Sequence, residues 1–269
     1  MPYGGRPGAA FAFCGETRNK VFGNPLSVNR KIRSVLSMLA CLALAAGCAR
    51  QEPGAEYNDP FEAQNRAVHD ENVKLDTLVF GTYPRAKPIL PKPVAKGFSN
   101  FSSNLGMPSA VLNSLLQGKP GPALQNTLRF ALNTTVGLGG VFDPAGAIGI
   151  YADDADFGET LHVWGAPEGA YLVLPFAGPT TERDLAGSVV DIVINPLNAI
   201  GGREAYYLGA AKLAGGAGNR SLYSDTVDSI LYESADSYAQ LRLMYLQYRH
   251  HQLGIEEDVF DPYEDPYGQ

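Results

Sequence analysis

When the chain from Asp59 to about Phe80 is wound with a period of 3.6 residues, Phe61, Val68, Leu75 and Val79 fall on one stripe, which predicts an amphipathic helix. Asp59, Pro60 and Glu62 stand where a capping box would start it. Asn65 and Asn72 lie on the same stripe. A buried amide costs free energy unless it is hydrogen-bonded, so these two either pin a neighbouring backbone or face a partly wet channel. The first is preferred, because buried amides are generally satisfied within the fold. Pro84, Pro88, Pro91 and Pro93 argue against regular helix between about 82 and 95 and for an extended connector. A second helix is expected over 108–117, with Val111, Leu112, Leu115 and Leu116 on one side and Gly118 just past its end. A third, over 122–136, carries Leu124, Leu128, Ala131, Leu132 and Thr135 at helical spacing, with Gln125, Asn126, Arg129 and Asn133 opposite or flanking. The pair reads as a helical hairpin.

Glycine recurs through GLGGVFDPAGAIG at 137–149, a sign of tight turns or close backbone approach. GLGG is not a nucleotide loop: it follows a helix rather than a strand and lacks the remaining glycine and lysine spacing. Residues 151–165 hold an acidic loop and Trp164, and YLVLP at 171–175 suits either a strand or membrane-facing coil. The apolar run 185–200 is interrupted by Asn195-Pro196, a helix kink, and Gly201-Gly202 ends it. From Ser224 to Leu253 one long helix is expected, with Val227, Leu231, Ser234, Tyr238, Leu241, Tyr245 and Tyr248 on its stripe. Its acidic residues come early and Arg242, Arg249, His250 and His251 come late, as the helix dipole favours. The last stretch, 254–269, is acidic and without core pattern, which predicts a disordered tail.

The N-terminal part does not pattern as fold. VLSMLACLALAAG at 35–47 is apolar but well short of the ~20 residues that cross a bilayer, and it follows Arg30, Lys31 and Arg33. It reads as the core of a signal peptide over 28–47. LAAGC at 44–48 resembles a lipobox, which makes Cys48 the lipid-attachment residue and 48–58 a tether. Residues 1–27 are expected to be an over-extended start or disordered. No cysteine lies beyond Cys48, so the mature chain has no structural disulfide to draw on. Six of 21 basic and one of 28 acidic residues precede Cys48, leaving 15 basic against 27 acidic and a formal net charge of −12. Such a chain repels phosphate backbones, which excludes nucleic acid as a partner and rests membrane attachment on acyl chains and apolar faces.

Candidate chemistry is sparse. HExxH, CxxC and GxSxG are absent from the sequence after Cys48, and the histidines are His69, His162, His250 and His251. Spacing assembles no nucleophile, base and orienter. His162 reads as a packing or hydrogen-bonding residue, Asp153, Asp154 and Asp156 as a solvated loop rather than a metal site, and the His250-His251 pair as cationic caps.

Five ordered segments together resemble the MlaA (VacJ) family of outer-membrane lipoproteins: NDPFEAQNRAVHDENVKLD at 58–76, PVAKGFSNFSSNLGMPSAVLNSLLQGK at 93–119, RFALNTTVGLGGVFDPAG at 129–146, FGETLHVWGAPEGAYLVLPFAGPTTERD at 157–184 and DSYAQLRLMYLQYRH at 236–250. The resemblance implies a mainly α, single-domain, ring-like lipoprotein embedded in the inner part of the outer membrane, with its helical domain at 59–253. It implies no catalysis and no cofactor or metal. The expected function is to remove misplaced phospholipids from the outer leaflet and pass them through an amphipathic channel to a soluble periplasmic lipid carrier, in association with a trimeric porin. Asn65, Asn72, Asn100 and Asn104 would offer polar groups to the headgroup, and Phe98, Phe101 and Leu105 apolar surface to the tails. Ala49 after the cysteine, rather than aspartate, agrees with sorting to the outer membrane. The alternatives are an envelope lipid hydrolase and a structural porin-tethering lipoprotein.

Overall fold

A computed structural model describes residues 57–81, 90–197 and 204–255 of the chain. The signal segment, Cys48, most of the tether, Pro84, Pro88, Gly201-Gly202 and the tail beyond Ile255 lie outside the described residues. The described chain is mostly helical: α1 (Glu62–Phe80), α2 (Lys92–Leu116), α3 (Pro120–Thr135), α4 (Pro144–Ala147) and α5 (Phe157–Val163) come first. A hairpin, β1 (Tyr171–Leu174) and β2 (Gly178–Thr181), leads into α6 (Glu182–Ile194). Then come α7 (Glu204–Leu222), α8 (Ser224–Asp228), a π-helical turn Ser229–Glu233 and α9 (Ser237–Leu253). Among the described residues no helix is long and apolar enough to cross a membrane.

Several sequence expectations are corrected by competing local chemistry. Asp59 does not cap α1 with its side chain; its carboxylate instead accepts from Asn65 Nδ2 and Tyr238 OH and pairs with Arg242 at 2.6 Å. Asn58, read as the end of the tether, is already in the fold, donating from Nδ2 to Gly169 O and accepting from Tyr171 N–H. Helix α2 begins at Lys92, inside the proline-rich stretch, because Pro93 occupies the first turn, where no backbone N–H is needed. It also runs through Pro108. YLVLP becomes β1, antiparallel to β2 with Tyr171 opposite Thr181 and Leu174 opposite Gly178. Asn195 ends α6 rather than kinking it, and its Nδ2 donates to Leu105 O. The long helix expected over 224–253 breaks at Ser234, whose backbone is extended, and restarts at Asp236, whose side chain accepts from Ala239 N–H.

Helix α7 was not foreseen, because its glycines lower helix propensity. They have a packing reason. A Cβ on Gly218 would lie 2.6 Å from Ala95 O, and one on Gly215 would collide with Ser102, so glycine is what lets α7 lie close against α2.

Two differently built regions result. In the first, β1 packs with α1 and α9 around Tyr171, Val173, Tyr238 and Leu246, with Val68 and Tyr245 against them. In the second, the α2–α3 hairpin buries polar residues and exposes apolar ones. Asn126 of α3 is fully buried and Arg129 and Asn133 nearly so, whereas Leu124 is 62% and Leu128 47% exposed. Leu115, Leu116, Val136, Leu138 and Phe142 continue the exposed apolar surface.

Candidate functional site

Asparagines hold this architecture by imitating peptide groups, with N–H donated and C=O accepting on the same side chain. Asn65 donates to Tyr171 O at 3.0 Å and accepts from Val173 N–H at 2.9 Å, as a neighbouring strand would. One helical repeat on, Asn72 treats Leu174 O and Phe176 N–H in the same way. Asn126 bonds both backbone groups of Asp153, and Asn133 accepts from Ala145 N–H while donating to Asp143. Asn113 donates to Asp191 and accepts from Thr160.

Around this frame α2 lines two hollows, one strongly apolar and one mixed. Its first three turns and the loop after α3 form an apolar groove of about 780 Å³, walled by Val94, Phe98, Phe101, Val141 and Phe142. Lys96, Asn100 and Asp143 supply its polar groups. The loop reaches α2 through Gly140, whose φ is +99° and whose Cβ, if present, would stand 2.5 Å from that of Asn104. Asn104 Nδ2 clamps the same turn through Thr134 Oγ1 and Gly139 O, and Asn100 Nδ2 donates to Val141 O at 3.1 Å. Burial opposes ionisation of Asp143, but bonds from Gly146 N–H, Asn133 and Arg129 prevail and hold its pKa below the ordinary carboxylate value. The Asp143 charge is therefore spent on Arg129, 3.1 Å away. Lys96 is exposed and has no hydrogen bond or ion pair to another described residue.

Further along α2 lies a smaller cleft of about 270 Å³ with a mixed lining, in which Met107, Ala110 and Ala155 stand beside Asp154, Asp191, Asn195 and Lys212. A third hollow, about 370 Å³ and mainly apolar, sits under the β-hairpin among Val73, Val79, Val173, Phe176 and Leu241. At its rim Phe176 is 83% exposed with φ +65°, a conformation a bulky side chain seldom adopts.

The ionisable groups are built into paired clusters. Arg249, nearly buried, bridges Asp156 at 2.8 Å and Asp184 at 2.7 Å, and Tyr245 OH donates to Asp184. Burial raises the Asp184 pKa, yet the Arg249 bonds outweigh it and the net shift is downward. Arg220 likewise joins Asp76 to Asp228. Two residues of the acidic loop hold structure: Asp156 also caps α5 by accepting from Glu159 N–H, and the backbone of Asp153 is bound by Asn126. His69 is buried, its Nε2 2.8 Å from Ser237 Oγ, and burial pushes its pKa below the ordinary 6.5. His162 is pushed the same way by burial and by Arg183, whose guanidinium is 3.4 Å from Nδ1. A cation rather than a carboxylate at that nitrogen is not the arrangement that orients a general base. His250 stands 3.2 Å from Glu168. Among the described residues no group of three or more His, Cys, Asp or Glu is placed to hold a metal ion.

The seven residues read from the sequence as a lipid path thus fall into separate places. Phe98, Asn100 and Phe101 line the apolar groove together. Asn104 and Leu105 lie about one turn further on, Asn104 clamping the loop and Leu105 O receiving Asn195. Asn65 and Asn72 are bonded to the β-hairpin, with Asn72 also at the rim of the third hollow. Sequence reasoning missed Lys96, Val141 and Phe142. Only the GLGG turn hinted that the chain after α3 would close back on α2.

Residues 57–252 match the family described as MlaA lipoprotein. The intermembrane phospholipid transport system lipoprotein MlaA of Escherichia coli (strain K12) is 31% identical over 242 residues, covering 87% of this chain and 94% of that protein. The protein of the same name from Haemophilus influenzae is 36% identical over 170 residues, covering 60% and 67%. A solved structure described as "Structural basis for maintenance of bacterial outer membrane lipid asymmetry" superposes with a TM-score of 0.61 at 30% identity, over 72% of this chain and 98% of that one. With a family match that spans the whole described fold, the chain belongs to the MlaA lipoprotein family.

Proposed function

We propose that this protein is an outer-membrane lipoprotein that takes part in phospholipid transport and so maintains the lipid asymmetry of that membrane; its relatives are named for intermembrane phospholipid transport, and the similar solved structure is described in terms of outer-membrane lipid asymmetry. The observation that carries the reading is the pairing on α2 of an apolar groove with a smaller cleft where Asp154, Asp191, Asn195 and Lys212 gather, on a molecule that exposes leucines of α2 and α3. A phospholipid is an amphiphile, and a protein that moves one must offer both surfaces within reach of each other. The exposed face of α3 suits contact with acyl chains, because the helix satisfies its own backbone while Leu124 and Leu128 face hydrocarbon.

In this reading Cys48 is acylated and anchors the chain, lipid taken from the outer leaflet passes through an amphipathic channel to a soluble periplasmic carrier, and a trimeric porin is the membrane partner. The protein acts by binding alone, with no covalent chemistry. Deleting the gene is expected to raise phospholipid in the outer leaflet, measured by labelling of intact cells with a membrane-impermeant amine reagent, and the wild-type gene to restore the baseline. An outer leaflet unchanged by the deletion would count against the proposal. Release of fatty acid from labelled phospholipid by the purified protein would favour a hydrolase instead.

A further inference from the structure

We infer that the groove between the N-terminal half of α2 and the 137–143 loop is a berth for one acyl chain of a phospholipid, with the lipid phosphate held at its mouth by Lys96. The inference rests on the phospholipid reading above and specifies which part of the lipid this groove takes, in which orientation, and through which cation.

The groove has the size and lining of a small-ligand site: about 780 Å³, aromatic and aliphatic walls, and few polar groups. Its walls come from segments 41 residues apart that Asn100 and Asn104 fasten together, so the cavity is preformed rather than a gap between loose loops. Gly97 forms part of the floor, where a Cβ would stand 3.3 Å from Val141 Cγ1. Removing a side chain there keeps the trough open.

Charge decides the class of occupant. The two ionisable groups of the groove are Lys96 and Asp143. Asp143 is neutralised by Arg129 and takes further bonds from Asn133 and Gly146 N–H. Lys96 has no such partner among the described residues, so the mouth of an otherwise apolar trough presents one ammonium that they do not neutralise. An apolar peptide would leave that charge unanswered, whereas an anionic group attached to a hydrocarbon tail satisfies both ends. Asn100 Oδ1, with no bond from a described residue, adds an acceptor beside the mouth for a hydroxyl or ammonium of the lipid. Phe142 of the groove wall is 58% exposed, and Val136 and Leu138, a few residues before it in the chain, are exposed as well, so the segment that walls the trough also presents apolar surface outward.

The test uses the full chain, purified in mild detergent and incubated with a phosphatidylglycerol or phosphatidylethanolamine whose acyl chain carries a diazirine, followed by irradiation and peptide mapping. Adducts are expected on the peptides holding Phe98, Phe101 and Phe142. Lys96→Glu is expected to lower their yield about tenfold, the loss of one charge-assisted phosphate contact, and Lys96→Arg to keep it. Val141→Trp, at an exposed position on the groove wall, fills the trough and is expected to abolish these adducts while the unfolding midpoint stays near that of the wild type. Adducts confined to the smaller cleft of α2 or to the hollow under the β-hairpin would overturn the berth and leave phospholipid transport standing. No adduct anywhere on the wild type would overturn both. Equal labelling of the groove by a diazirine fatty alcohol, unaffected by Lys96→Glu, would overturn the phosphate role.

Discussion

The β-hairpin region and the α2–α3 hairpin both bury polar groups, but they do so by different chemistry. Around α1, the strands and α9, tyrosines pack around full charges, and three arginines each join two acidic groups: Arg242 and Arg249 of α9, and Arg220 of α7, which ties Asp76 of α1 to Asp228 of α8. Within α2 and α3 the buried groups are mostly neutral amides and hydroxyls, Asn113, Ser114, Asn126 and Asn133, and the leucines that a water-soluble helix pair would bury face outward. Charges can be kept inside only when every partner is present. Amides ask less, because each carries its own donor and acceptor. The first region depends on long-range pairs being completed; the second tolerates an apolar surrounding on its far side.

Removing one partner from each region should separate them most. Arg249→Met takes the only ion-pair partner among the described residues from Asp156 and leaves Asp184 with Arg183 alone, 3.7 Å away, and should cost about 3–5 kcal/mol in denaturant unfolding, the range for breaking a buried pair. Asn126→Leu strands one N–H and one C=O of Asp153 and should cost about 1–3 kcal/mol. If Asn126→Leu proved as damaging as Arg249→Met, the distinction between the two interiors would fail.

Acidification should act away from the α2–α3 hairpin. His69 and His162 both have pKa values held below 6.5 in the folded protein, so below that pH the unfolded chain binds protons that the fold resists. Stability should fall as pH drops from about 6.5 toward the folded values. Asp184 and Asp143 are shifted below 3.8, so their stabilisation persists through this window and is lost only in stronger acid. Hydrogen exchange between pH 7 and pH 5, corrected for intrinsic rates, should then show earlier opening of the backbone around His69 and His162, with the amides of α2 and α3, which carry no histidine, unaltered. Faster opening of α3 over that range would contradict the assignment.

The smallest effect on folding should come from the outward leucines. Leu124→Gln with Leu128→Gln removes exposed apolar surface and should shift unfolding in water by no more than ~0.5 kcal/mol. The same pair should weaken partitioning into phospholipid vesicles, measured by flotation. A large loss of stability would mean that these leucines belong to a core.

Much of this was written in the sequence at short range. Asn65 and Asn72, seven positions apart on one stripe, announced a helix pinned to a backbone, although not which backbone. The amphipathic pattern of 122–136 gave α3 but not the direction it faces, since periodicity marks two sides of a helix without saying where water is. Helix α7 was hidden because Gly215 and Gly218 serve contacts with α2, which no local pattern encodes. The break at Ser234–Asp236 was hidden because the apolar stripe continues across it. At the candidate site, Phe98, Asn100 and Phe101 were legible as a cluster on one segment. Lys96 was not, because its significance comes from Arg129 occupying Asp143, a pairing settled only when α3 and its loop fold back.

An interior stitched by asparagine has a consequence for when the shape is fixed. Hydrophobic burial draws helices together only while water is the alternative, and hydrocarbon gives a leucine nothing to flee. A bond from an asparagine amide to a peptide group survives the change of solvent. The α2–α3 hairpin is therefore specified by contacts indifferent to the medium outside it, so it can complete its folding in an aqueous compartment and meet acyl chains afterwards without turning inside out.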